Sequence, residues 1–163
     1  MLVRAAHRLL QQHHLTMAKS FSATVSDWVK ETKERQQAVY SGSVQRILSI
    51  AQEPFSSGGN MPIRDGFLRA SLTSNLGTGL PAMIYKPKGD EKYSYDATAV
   101  NLKIVNAKVT DQIVAAWTAN YAIHQEYGAQ GREGRRFAGL AAQRWQEVVN
   151  AESAELQRTA RRR

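Results

Sequence analysis

Apolar or small residues return at three- and four-residue steps across positions 21–52: Val25, Trp28, Val29, Thr32, Val39, Ser43, Ile47 and Ala51. That spacing predicts one long amphipathic helix. Val44 and Leu48 widen the stripe. Lys30, Glu31, Lys33, Glu34 and Arg35 cover much of the other side, with Glu31–Arg35 and Lys30–Glu34 at the spacing of helical ion pairs. If continuous, such a helix is about 48 Å long. It outruns a small domain, so it either lies across a whole sheet or reaches another subunit. Ser41-Gly42-Ser43 is the expected place for a bend, and Pro54 ends the helix.

The pattern then changes. SSGGNMP (56–62) reads as a flexible loop. It lacks the Gly-Lys-Ser/Thr ending and the preceding strand of a phosphate cradle. Asp65-Gly66 suggests a turn. Leu68, Ala70, Leu72, Ser74 and Leu76 alternate as in a strand, with a short helix as the competing reading. LPAMIY (80–85) suits a short strand, and KPKGDEK (86–92) an exposed hairpin or loop tip. DATAVNLKIV (96–105) suits a short helix or a strand, with the helix, over 97–104, the preferred reading. VTDQIVAAWT (109–118) reads as a strand, with Val109, Ile113, Ala115 and Trp117 on one face. Residues 136–158 form a second amphipathic helix whose stripe is Phe137, Leu140, Ala141, Trp145, Val148, Val149, Glu152 and Leu156. Both helices need cover for their apolar faces. The prediction is an α+β domain: a long N-terminal helix and a C-terminal helix packed on a small mixed or antiparallel sheet, with long flexible loops.

Length and composition narrow the class. A chain of 163 residues fits one domain, small enough for partners to matter to its stability. The reading divides it into an N-terminal extension (1–20, disordered or helical), the domain (21–158) and a basic tail (159–163). Met17 is an alternative start, so residues 1–16 are either an extension or an artefact of start-site choice. With no cysteine there is no disulfide framework and no thiolate nucleophile. No apolar run is long enough to span a membrane. The net charge is +8, which favours polyanionic neighbours. GREGRR (131–136) and RTARRR (158–163) concentrate it. His7, His13 and His14 cluster near the start, but no Cys, Asp or Glu joins them, so no metal site is expected there.

The segment TANYAIHQEYG (118–128) gathers Tyr121, His124, Glu126 and Tyr127. On a helix from about Asn120, His124 and Glu126 are two positions apart and do not face each other. No local nucleophile or second histidine joins them, so no catalytic residue is assigned. Gly128 suits a left-handed helix end. Tyr121 and Tyr127 combine an apolar face with a polar tip, as subunit contacts do. The glycine-relieved loop after Gly128 carries Arg132, Arg135 and Arg136, and arginine binds carboxylates or phosphates bidentately.

MPIRDGFLRASL (61–72), IVAAWTANYAIHQEYG (113–128) and RRFAGLAAQRWQEVVNAESAELQ (135–157) together make the chain resemble the tail-completion or neck proteins of long-tailed bacteriophages, over residues 20–158. Where that family usually has Thr before the glycine, this chain has Asp65. Gly66, Leu68, Arg69 and Ser71 match the first element, and Tyr121, Ala122, Glu126, Tyr127 and Gly128 match the second. The resemblance implies a non-enzymatic virion protein without a cofactor. It would form a homo-oligomeric ring, a hexamer on the family's pattern, at the head–tail junction of the virion, after assembly in the host cytoplasm. The ring would join the portal or head–tail connector proteins to the tail terminator or tail-tube proteins. DNA would pass along its lumen with non-specific contacts. Arg69, Tyr121, His124, Glu126, Tyr127, Arg132, Arg135 and Arg136 are the candidate interface residues. Two other readings remain open: the tail terminator ring of the same particle, and a basic DNA-binding protein. No helix carries the basic, Asn/Gln-rich face that the second would need for major-groove reading.

Overall fold

The computed structural model describes residues 20–162. The expectations for the first nineteen residues, including the histidine cluster and the alternative start at Met17, lie outside the described residues. The chain has two compact units, one ending at Glu34 and one beginning at Arg35. The boundary falls inside helix α1, Phe21–Ala51.

In the first unit, Ser20 caps α1 by accepting the Ala23 N–H at its Oγ, 3.2 Å away. The Thr32 hydroxyl donates to the Trp28 carbonyl at 2.8 Å. The apolar side chains of this stretch stay outside any core: Phe21 is 86% and Trp28 65% exposed.

In the second unit α1 continues through Ser41-Gly42-Ser43 without a break. The expected bend is not needed, because the small residues serve close packing. A Cβ on Gly42 would lie 2.8 Å from the Glu152 carboxylate of the C-terminal helix, and Ser43 is fully buried. Tyr40 donates its hydroxyl hydrogen to the Asp111 carbonyl at 2.8 Å. Val44 and Leu48 pack on a cluster formed by Leu72, Val100 and Ile104.

The 56–62 loop is closed on itself. A one-turn 3-10 helix, Phe55–Ser57, opens it. The Phe55 N–H donates to the Met61 carbonyl and the Met61 N–H to the Glu53 carbonyl, both at 3.0 Å. Met61, fully buried, pins the loop to a second cluster with Phe67, Leu68, Ala119 and Phe137.

Both readings of 67–76 hold in series. The Phe67 N–H donates to the Asp65 carboxylate at 3.0 Å, which opens the single turn α2, Phe67–Ala70. The Ser71 hydroxyl then closes on the Leu68 carbonyl at 2.7 Å, and β1, Leu72–Leu76, follows. The alternation therefore begins at Leu72, not Leu68. Residues 80–92 run as an exposed loop; its sheet contact is one parallel bridge, Ile84 to Ala119. Helix α3, Thr98–Asn106, starts where Asp96 accepts the Thr98 N–H at 2.8 Å.

Strand β2, Ile113–Trp117, pairs antiparallel with β1 from Leu72↔Trp117 to Leu76↔Ile113. Ile113, Ala115 and Trp117 face the α1–α3 cluster as expected. Val109 falls outside the strand and is exposed, because the Lys108–Asp111 turn intervenes. Helix α4, Ala122–Tyr127, leads into a small hairpin of β3, Gly128–Ala129, and β4, Arg132–Glu133. The expected single C-terminal helix is two: α5, Phe137–Gln143, and α6, Trp145–Arg161. Arg144 leaves helical geometry between them, so Trp145 begins a new helix and stays 40% exposed. The basic residues Arg158 and Arg161 belong to the last turn of α6, where they complement the helix dipole. The fold is thus α+β, a long N-terminal and a long C-terminal helix packed against small antiparallel sheets with long loops.

Candidate functional site

The segment from Tyr121 to Gly139 is built around Glu126. Its side chain is nearly buried, and its two carboxylate oxygens accept the Ala138 N–H at 3.0 Å and the Gly139 N–H at 2.8 Å. These are orphan donors in the first turn of α5, so Glu126 caps a helix that begins eleven residues later. The chain returns there through the hairpin. Gln130 and Gly131 both have positive φ, 53° and 77°, the signature of a two-residue type I′ turn. The loop expected between Gly128 and Arg136 is therefore a hairpin. Two glycines make it possible. Gly128 ends α4 at φ 90°, ψ 165°, a positive-φ conformation open essentially to glycine alone, though not the αL geometry of a usual left-handed helix end. A Cβ there would lie 2.3 Å from the Arg132 oxygen, and one on Gly134 would lie 2.1 Å from the Glu126 oxygen.

The eight candidate residues separate around this knot. Tyr121 turns inward, its ring 6.3 Å from that of Phe67; burial raises its hydroxyl pKa. It lines a cleft with Asp65 and Lys86. Those two form an ion pair, and the Lys86 hydrogen bond, then the Phe67 N–H, hold the Asp65 carboxyl below the usual range. Glu126 is taken up by the α5 cap. His124, Arg132 and Arg135 line a second, open cleft with Gln130 and Glu133. Arg135 also sets its guanidinium 4.7 Å over the Phe55 ring. Tyr127 is 76% exposed. Arg136 holds a left-handed backbone at the start of α5, φ 50°, with its side chain in solvent. Arg69 lies apart, 5.9 Å over the Tyr95 ring. The structure therefore joins His124, Arg132 and Arg135 at one cleft and ties Arg136 to Glu126, whose carbonyl accepts the Arg136 N–H at 3.0 Å; Arg69, Tyr121 and Tyr127 fall outside both groupings.

Three features had little sequence signal. The Lys86–Asp65 pair spans a loop. Gln52 is a polar residue at a helix end, yet it is 3% exposed and donates to the Arg69 carbonyl at 3.0 Å. Glu126 as a helix cap required knowing that 130–131 turn the chain back. The one available cue was the run of glycines at 128, 131, 134 and 139. Among the described residues no group of three or more His, Asp or Glu is arranged to hold a metal ion, and no helix is long and apolar enough to cross a membrane. Comparison with protein-family models, with curated proteins and with solved structures found no match.

Proposed function

We propose that this chain is a structural subunit of a ring at the head–tail junction of a long-tailed phage, joining the portal or connector to the tail and letting DNA through. The observation that carries the reading is the apolar stripe of the first half of α1. Phe21, Val25, Trp28 and Val29 recur at helical spacing and are 86, 41, 65 and 37% exposed. Among the described residues nothing covers this stripe, and an aligned apolar stripe is what a subunit contact buries. Ile123 and Tyr127 add exposed apolar surface in the second unit. A closed ring brings two different faces of each copy together, so two separate apolar surfaces suit it. The net charge of +8 suits a lumen that DNA crosses.

Sedimentation velocity and negative-stain imaging of the full chain, alone and with portal assemblies, test this. Closed rings, or binding of the chain to the portal face, are the expected outcome, with Tyr127→Ala and Trp28→Ser reducing assembly while the circular dichroism stays native. A chain that remains monomeric in both settings, or assembly untouched by either substitution, would falsify the reading. Tight duplex binding by monomers at physiological salt would instead favour the DNA-binding alternative.

A further inference from the structure

A third cleft, ≈ 710 Å³, opens where the end of α1 meets Arg69, Tyr95 and Arg144. Arg46, Arg69 and Arg144 line it, against one lining carboxylate, Glu53. Arg144 is already bridged to Glu147 by two hydrogen bonds, at 3.0 and 2.7 Å. Arg46 and Arg69 make no ion pair among the described residues. The same cleft is bordered by Gln52, which is 3% exposed. Its Nε2 is used on the Arg69 carbonyl, but its Oε1 is buried without a partner, and so is the Arg69 Nε. One orphan accepts and the other donates. A buried polar group left unpaired is costly, so a ligand that supplies both a donor and an acceptor is favoured here.

We propose that this cleft binds an acidic peptide segment of a partner protein. An Asp or Glu carboxylate meets the guanidinium groups of Arg46 and Arg69, and a main-chain N–H of the peptide donates to Gln52 Oε1. Both orphans are buried, so engaging them requires the side chains at the cleft to move. The backbone of a nucleic acid offers phosphate oxygens, which accept only, and would leave Gln52 Oε1 without a donor. Peptide main chain offers both. Tyr95 lines the same cleft, with the Arg69 guanidinium 5.9 Å over its ring. The inference does not rest on ring formation, since a monomer presents the same cleft.

The test is fluorescence anisotropy of a labelled hexaglutamate peptide with the full chain at about 0.1 M salt, where charges more than about 10 Å apart are largely screened. Labelled hexaglutamine, inorganic phosphate and a short DNA duplex run in parallel. Hexaglutamate is expected to bind and hexaglutamine not. Arg46→Gln and Arg69→Gln should each weaken binding roughly tenfold, while Arg161→Gln, on the last turn of α6, leaves it unchanged. Arg46 is exposed, so its variant reads the site even if Arg69→Gln alters the fold. Lack of hexaglutamate binding overturns the proposal. So does an equal loss with Arg161→Gln, which would mean diffuse charge. DNA binding that depends on Arg46 and excludes the peptide overturns it in favour of a nucleic-acid site.

Discussion

Along α1, Val25, Trp28 and Val29 keep a third or more of their surface in solvent, while Ser43 and Ala51 are at most 2% exposed and Val44 and Leu48 join the core. The spacing of apolar and small positions is the same in the two stretches. What differs is cover: in the second stretch Val44 and Leu48 pack on Leu72, Val100 and Ile104. An amphipathic stripe therefore states that a helix face will be buried, and leaves open by what. The C-terminal stretch is answered inside the chain. The N-terminal stretch has no such answer among the described residues, which is why we read it as a contact surface.

Substitutions can sharpen this contrast between internally committed and outward-facing residues. The largest effect is expected at Gly134, where any side chain meets the Glu126 backbone oxygen at 2.1 Å. Gly134→Ala should cost on the order of 3 kcal/mol, seen as a lowered denaturant midpoint; a midpoint within error of the parent would mean the hairpin is not held as described. Leu48→Ala comes next, at about 2 kcal/mol for a partly buried core leucine, read from the same unfolding curves. A loss as small as that of an exposed site would erase the distinction between the two stretches of α1.

Asp65→Asn is smaller, under about 1 kcal/mol, because the pair with Lys86 keeps some contact with solvent. Its sign with pH is fixed. The Asp65 carboxyl is held below its ordinary value, chiefly by the Lys86 hydrogen bond. Its stabilising contribution is therefore complete above the unfolded pKa, about 3.9, and is lost as pH falls from there through the lowered folded value. Unfolding curves of parent and variant should differ at neutral pH and converge in acid. A gap that persists at the lowest pH would point to packing instead of charge. Trp28→Ser should change the stability of the isolated chain least, by no more than about 0.5 kcal/mol, while abolishing any self-association seen by sedimentation. A large drop in stability would show that Trp28 is packed within its own chain.

Much of the fold was legible, for reasons that can be traced to residues. The period of α1 was readable because its stripe runs for more than seven turns, and Pro54 set its end. Strand β2 was readable from Ile113 to Trp117, where β-branched and aromatic residues cluster. The division of 136–158 was not readable: Phe137, Ala141 and Val148 fit one stripe whether or not Arg144 breaks it. Among the candidate site residues, Tyr127, expected as a polar-tipped contact residue, is 76% exposed. The capping role of Glu126 could not be foreseen, because its partners are backbone groups of Ala138 and Gly139, and backbone groups leave no mark in the sequence.

By itself the sequence determined the long helix α1, the turn at Asp65-Gly66 and a net positive charge. Those are local properties, set by side-chain period, backbone sterics and composition. Only the tertiary structure decided which stretch of α1 is covered, that Glu126 spends its charge on α5, and that Arg46, Arg69 and Gln52 meet at one cleft. Each of these depends on distances between residues far apart in the chain, and such distances are fixed by how the elements pack.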